Sequence, residues 1–95
     1  MRTESWSFKE PPDVAVFSVR DTAFGGKPIL FVSHDEDGDW QFLTGEPARK
    51  EDAVVIGLKE IVELDSSVAT LADLPTGWIA TRPRPNAAWE REIHP

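Results

Sequence analysis

Apolar residues follow a strand-like pattern through the first half of the chain and then settle into a three-to-four repeat, so strands followed by helical segments are predicted. The stretch "VAVFSVR" (14–20) is rich in β-branched and aromatic residues and reads as a strand. "DTAFGGK" (21–27) reads as a loop, and "PILFVSH" (28–34) as a second strand opening on a proline, which a first strand position tolerates. "WQFL" (40–43) makes a short third strand and "GEPARKED" (45–52) a loop. "AVVIG" (53–57) is either a fourth strand or the lead into a helix. From there Leu58, Ile61 and Val62 form an apolar stripe at helical spacing, ended by Asp65. Asp65, Ser66 or Ser67 can cap a further helical turn whose buried face is Val68, Leu71 and Ala72. Pro75 and Gly77 stop it, and "WIATR" (78–82) reads as the last strand.

The ends look different. Residues 1–13 are polar and close on "EPPD", where two prolines lack amide donors, so a tail or extended arm is expected. Residues 83–95 read as a proline-broken tail, leaving one domain over 14–82. Ninety-five residues with 40% hydrophobic and 28% charged content suit one small core. No apolar run reaches the roughly 20 residues that span a bilayer, and the N-terminus has no apolar signal region. No membrane partner is expected, and the cytoplasm is the default location. The absence of cysteine excludes disulfides, thiolate nucleophiles and cysteine-ligated zinc.

Charge changes the picture around residues 34–52. Seven acids there (Asp35, Glu36, Asp37, Asp39, Glu46, Glu51, Asp52) face only Arg49 and Lys50, which accounts for −5 of the chain's net −7. A surface this acidic is not suited to a nucleic acid backbone, which selects lysine and arginine. It suits a basic protein, or simple solubility.

Within that segment "HDEDGDWQFLTGE" carries the carboxylate spacing of a calcium loop. Counted from Asp35, acids stand at positions 1, 3, 5 and 12, with apolar Phe42 at position 8. Position 6, however, is Trp40 rather than glycine, and the flanks are β-like rather than helical. Asp37-Gly38 is also a strong signal for a two-residue type I′ hairpin turn. That turn sets Glu36 opposite Asp39, Asp35 opposite Trp40 and Val32 opposite Leu43, and it is the preferred reading. No metal or other cofactor is expected.

Other candidate chemistry is thinner. Ser33-His34-Asp35 has the residue types of a triad, but neighbours on a strand face opposite sides. The glycines never form a phosphate-binding spacing. Trp40 and Trp78 stand at strand positions and read as core. Trp6 and Trp89 lie in polar tails, where each must pack back or meet a partner.

The run "DGDWQFLTGE" followed by "VVIGLKEIVELDSSVATLADLPTGWIATR" resembles a bacterial family of small domains of unknown function, some of them proposed as immunity proteins of polymorphic toxin systems. Asp37, Gly38, Trp40, Phe42, Gly45, Glu46, Leu64, Asp65 and Gly77 carry the resemblance over about residues 28–82. Asp39 interrupts the Gly-Trp adjacency usual in that family. The resemblance implies an α+β fold, which the residues also indicate: a small antiparallel sheet of four to five strands with one or two short helices packed on one face. It implies a non-catalytic, acidic, immunity-like domain that binds a basic, toxin-like protein. The candidate partner-binding residues are Asp35, Glu36, Asp37, Asp39, Trp40, Glu46 and Trp89. The alternative is a small ligand-binding or enzymatic domain with a site around His34 and Trp40.

Overall fold

The computed structural model describes residues 6–47 and 49–94. Among these the chain forms β1 (Ala15–Val19), α1 (Arg20–Ala23), β2 (Phe31–His34), β3 (Trp40–Leu43), β4 (Ala53–Gly57), α2 (Leu58–Leu64), β5 (Trp78–Thr81) and β6 (Glu90–Ile93). Short 3-10 segments cover Lys50–Asp52 and Ser66–Leu71. The described strands make one six-stranded sheet in the order β4-β1-β3-β2-β5-β6. The architecture is α+β as expected, with six strands where four to five were predicted. The sheet is also mixed, because β1 runs parallel to β3 while the other pairings are antiparallel. The parallel pair arises because α1 and the 24–30 connection carry the chain past β3 before β2 turns back on it.

Both ends depart from the tails expected. Residues 1–5 lie outside the described residues, but Trp6 and Phe8 pack against the core, with Phe8 only 4% exposed. The Trp6 indole donates to Glu10 O at 2.6 Å, which folds the arm on itself. At the other end "EREI" pairs with β5 as the outermost strand. Pro83 and Pro85 interrupt only the connection to it. Arg91 ties β6 back to the 3-10 helix, donating to Thr70 O at 2.9 Å and lying 2.9 Å from Asp73 Oδ1. The hydrogen bond from Arg91, and then its charge, hold the Asp73 carboxyl below its ordinary value. A folded value lowered in this way makes the tie complete above the ordinary carboxyl range. The tie is lost as pH falls through the lowered value.

One face of the sheet carries the core. Val16, Val32, Trp40, Phe42 and Ala80 point to it and meet Leu58 and Ile61 of α2 and Val68 and Leu71 of the 3-10 helix. The predicted helical stripe is therefore the buried one. Glu60 Oε1 accepts the Gly57 N–H at 3.1 Å at the start of α2. Glycine offers no side chain in return, so only half of a capping box is made. β2 begins three residues later than predicted, because Ile29 is turned into the core instead of continuing the strand.

Arg82 fixes the side of this core that faces the C-terminal segment. Its side chain is 2% exposed. Nε and Nη2 donate to Ile29 O at 3.1 and 3.0 Å, Nη1 to Ser67 Oγ at 3.0 Å and Nη2 to Asp65 Oδ2 at 2.7 Å. Asp65 in turn accepts from Ser67 N at 3.0 Å and Ser67 Oγ at 2.6 Å, capping the 3-10 helix as the sequence suggested. The guanidinium also lies 4.1 Å from the centroid of the Trp89 ring. Arg82→Met should therefore lower the unfolding free energy by about 3 kcal/mol, the usual scale for removing one member of a buried pair. Arg82→Lys should recover only part of that, because an ammonium cannot make the fork. Urea midpoints at constant m-value check this, and a lysine variant as stable as the parent would refute the geometric requirement.

Candidate functional site

The acidic tip is a hairpin turn, but one residue longer than predicted. Val32 lies opposite Phe42 and His34 opposite Trp40. Asp35 N donates to Asp39 O at 2.9 Å and Gly38 N to Asp35 O at 2.9 Å, so the loop is Glu36-Asp37-Gly38. This is a type I turn closed by a left-handed residue, and Gly38 supplies that residue at φ +92°. The Asp35 side chain decides the choice. Its Oδ1 accepts from both Asp37 N and Asp39 N at 3.0 Å, which locks the longer loop. Asp35 is thus a structural residue of the turn, while Glu36, Asp37 and Asp39 are exposed.

The longer register also separates the acids. Asp35 to Asp39 sit at one end of the β2–β3 hairpin, and Glu46, Glu51 and Asp52 lie beyond the opposite ends of β3 and β1, before β4. The first and twelfth positions of the supposed calcium loop therefore cannot converge on one ion. Among the described residues no group of three or more His, Asp or Glu is placed to hold a metal. The far cluster is also largely compensated. Lys27 Nζ donates to both oxygens of Glu46 at 3.0 and 3.1 Å, and Arg49 lies 3.5 Å from Glu51 and 3.4 Å from Asp52. The hydrogen bond to Glu46, and then its charge, hold the Lys27 ammonium above its ordinary value. The expectation of one acidic face over 34–52 is corrected to an uncompensated tip and a paired far end, and Glu46 leaves the candidate surface.

Trp40 leaves it too. It is 2% exposed, with its ring parallel to those of His34 and Phe42 at centroid distances of 3.9 and 5.8 Å and edge-on to Phe8 at 5.3 Å. Its indole N–H donates to Glu10 Oε2 at 3.0 Å. The His34 ring is also held through one nitrogen. Nδ1 lies 2.8 Å from Leu74 O, which can only accept, so Nδ1 carries the proton, and Nε2 faces Glu10 Oε2 at 3.8 Å. Trp89 packs half-buried against the core under Arg82 rather than standing free as an anchor.

The surface that the sequence reading missed is the other face of the sheet. A single cross-strand row runs Glu92, Ile79, Ser33, Gln41, Phe17, Val55 through all six strands. Phe31, Leu43 and Thr81 stand beside it. Ile79 and Ser33 in this row are buried, but towards the β4 edge Phe17 and Val55 are 41% and 65% exposed. Towards the tip, the face opens into a groove of about 450 Å³ lined by Phe31, Ser33, Asp35, Glu36, Gln41, Gly77 and His94 among others. Gly77, at φ +84°, donates to His34 O and accepts from His94 N. A Cβ there would meet the Glu36 side chain at 3.6 Å, an ordinary contact, so Glu36 lies directly beside Gly77 at the groove. The alternation Phe31-Ser33 against Trp40-Phe42 carried this signal, but the one-residue register error paired the wrong positions.

The sheet's edges offer less. On β4, Ala53 N–H is bonded to Lys50 O and Gly57 N–H to Glu60, while β6 presents charged residues. No helix among the described residues is long and apolar enough to cross a membrane. Compared with known proteins, the chain matches no family model, no curated protein and no solved structure.

Two outcomes follow for the tip. Asp35→Ala should lower stability by about 1 kcal/mol through loss of two bonds to exposed turn amides, and Asp35→Asn, which keeps the acceptor, by much less. Equal losses in thermal unfolding would show that the carboxylate acts by charge instead. Millimolar calcium should shift the melting temperature by less than about 2 °C, because weak binding contributes little linkage energy. A rise of about 10 °C that Asp39→Asn abolishes would restore a cation site at the tip.

Proposed function

We propose that the chain is a non-catalytic protein-binding domain that takes a basic partner on the uncovered face of its sheet. The reading is carried by that face: an apolar patch built by Phe17, Val55, Phe31 and Leu43 without a covering layer, beside acids that lack compensation. Contiguous exposed apolar surface rimmed by charge is the usual form of a docking site. The exposed Glu36, Asp37 and Asp39 lie at the tip and Glu92 at the β6 margin, so the rim selects cationic partners and speeds their approach. The immunity-type role implied by the resemblance, with a toxin enzyme as partner in the cytoplasm, fits this chemistry and is the specific form proposed. A ligand or enzymatic site around His34 and Trp40 is the weaker reading. Both rings are stacked in the core and their nitrogens are engaged by Leu74 and Glu10.

The test is kinetic. With a basic partner isolated from the native host, Asp37→Asn/Asp39→Asn/Glu92→Gln should lower the association rate several-fold at low salt and flatten its salt dependence, since screening acts over about 8 Å at physiological strength. Phe17→Ser should instead raise the dissociation rate about tenfold, the cost of losing a central apolar contact. If neither rate moves, the partner docks elsewhere and the acids serve solubility.

A further inference from the structure

The groove at the tip end of the open face gives the proposed interaction a chemical specificity, and this inference rests on that docking reading. Ser33 is 9% exposed and lines the groove, and its hydroxyl has no hydrogen-bonding partner among the described residues. The hydroxyl is not among the fully buried polar atoms that lack a partner, so it reaches solvent within the groove, where a ligand can meet it. Gln41, directly opposite Ser33 in the ladder, adds an amide with the same freedom. Phe31 forms an aromatic wall, and Glu36 lies beside Gly77 with a carboxylate that no described cation pairs. Asp35 offers its remaining oxygen, since only Oδ1 is used in the turn. Beside His34 and His94, which also line it, the wall combines acceptors, negative charge and a π face, and no lysine or arginine lines it.

We propose that this groove receives an arginine side chain of the basic partner. A guanidinium is planar, so it can lie against the Phe31 ring while its N–H groups meet the Glu36 carboxylate and the Ser33 and Gln41 oxygens. A carboxylate fork engages guanidinium bidentately, which an ammonium cannot match. An anionic group would meet Glu36 and Asp35 at the mouth and is excluded by repulsion. A purely apolar side chain would leave the Ser33 hydroxyl and the Glu36 charge desolvated and unpaired.

The experiment titrates the isotopically labelled full chain with acetyl-arginine amide and, separately, with acetyl-citrulline amide, its uncharged isostere, and follows backbone amide shifts. The arginine probe should give saturable shifts at Ser33, Glu36, Gln41 and Gly77 in the millimolar range, and the citrulline probe should give none there. Glu36→Gln should weaken the arginine response at least fivefold and Ser33→Ala about twofold, with the spectrum otherwise that of the folded parent. Equal responses to both probes would overturn the proposal. So would arginine shifts confined to Asp37, Asp39, Glu51 and Asp52, which mark diffuse attraction to acids. Should the salt-dependent partner association hold while the groove stays silent, the docking face stands and the arginine receptor alone is refuted.

Discussion

The guanidinium of Arg82 cannot sit inside this protein without neutralisation and a full set of acceptors, and satisfying it brings together parts of the chain that are far apart in sequence. Ile29 leads into β2, Asp65 and Ser67 join α2 to the 3-10 helix, and Trp89 precedes β6. An ion this buried is costly unless every bond is made. The result is geometric: the helical layer and the C-terminal segment are held at fixed positions over one face of the sheet. The main core cluster then gathers on that face, and on the opposite face Val19 and Ile79 are buried while Phe17 and Val55 stay exposed. The docking surface follows from where the chain concentrated its burial.

Much of this was legible in the sequence. The strands at β1, β3 and β5 and the stripe Leu58-Ile61-Val62 follow from composition and period, residues 53–57 resolve to the strand of the two readings left open, and Asp65 is the cap among the three candidates. What failed depended on non-local partners. The strand at 90–93 is exposed on all four residues and charged on three, so it has no apolar alternation to announce it. It exists because β5 offers an edge and Arg91 finds Thr70 and Asp73. Likewise the N-terminal arm is polar on average, and only Trp6 and Phe8 show which way it faces. The parallel β1–β3 pair is a matter of chain routing, on which local pattern is silent.

The candidate site shows the same limit at finer scale. A hairpin turn was expected at Asp37-Gly38 and occupies Glu36-Asp37-Gly38, because one side-chain oxygen of Asp35 reaches two amides. A one-residue slip exchanges the two faces of a strand. It turned Ser33 and Gln41 into the unremarked side of the hairpin, and drew attention to Trp40, which is committed to the interior. Counting charge along the chain had a related weakness. It summed acids that the fold sends to opposite ends of a hairpin, where Lys27 and Arg49 cancel one group and leave the other.

The treatment of the β4 edge has a wider consequence. Strand "AVVIG" is short, uncharged and free of proline, the kind of segment that templates addition of further strands. With the amides of Ala53 and Gly57 already given to Lys50 and Glu60, Val55 alone remains to lend an outward N–H. A growing fibre needs a continuous ladder and finds a single rung. The molecule can therefore keep a sticky, unroofed sheet surface ready for another protein without that stickiness spreading edge to edge among its own copies.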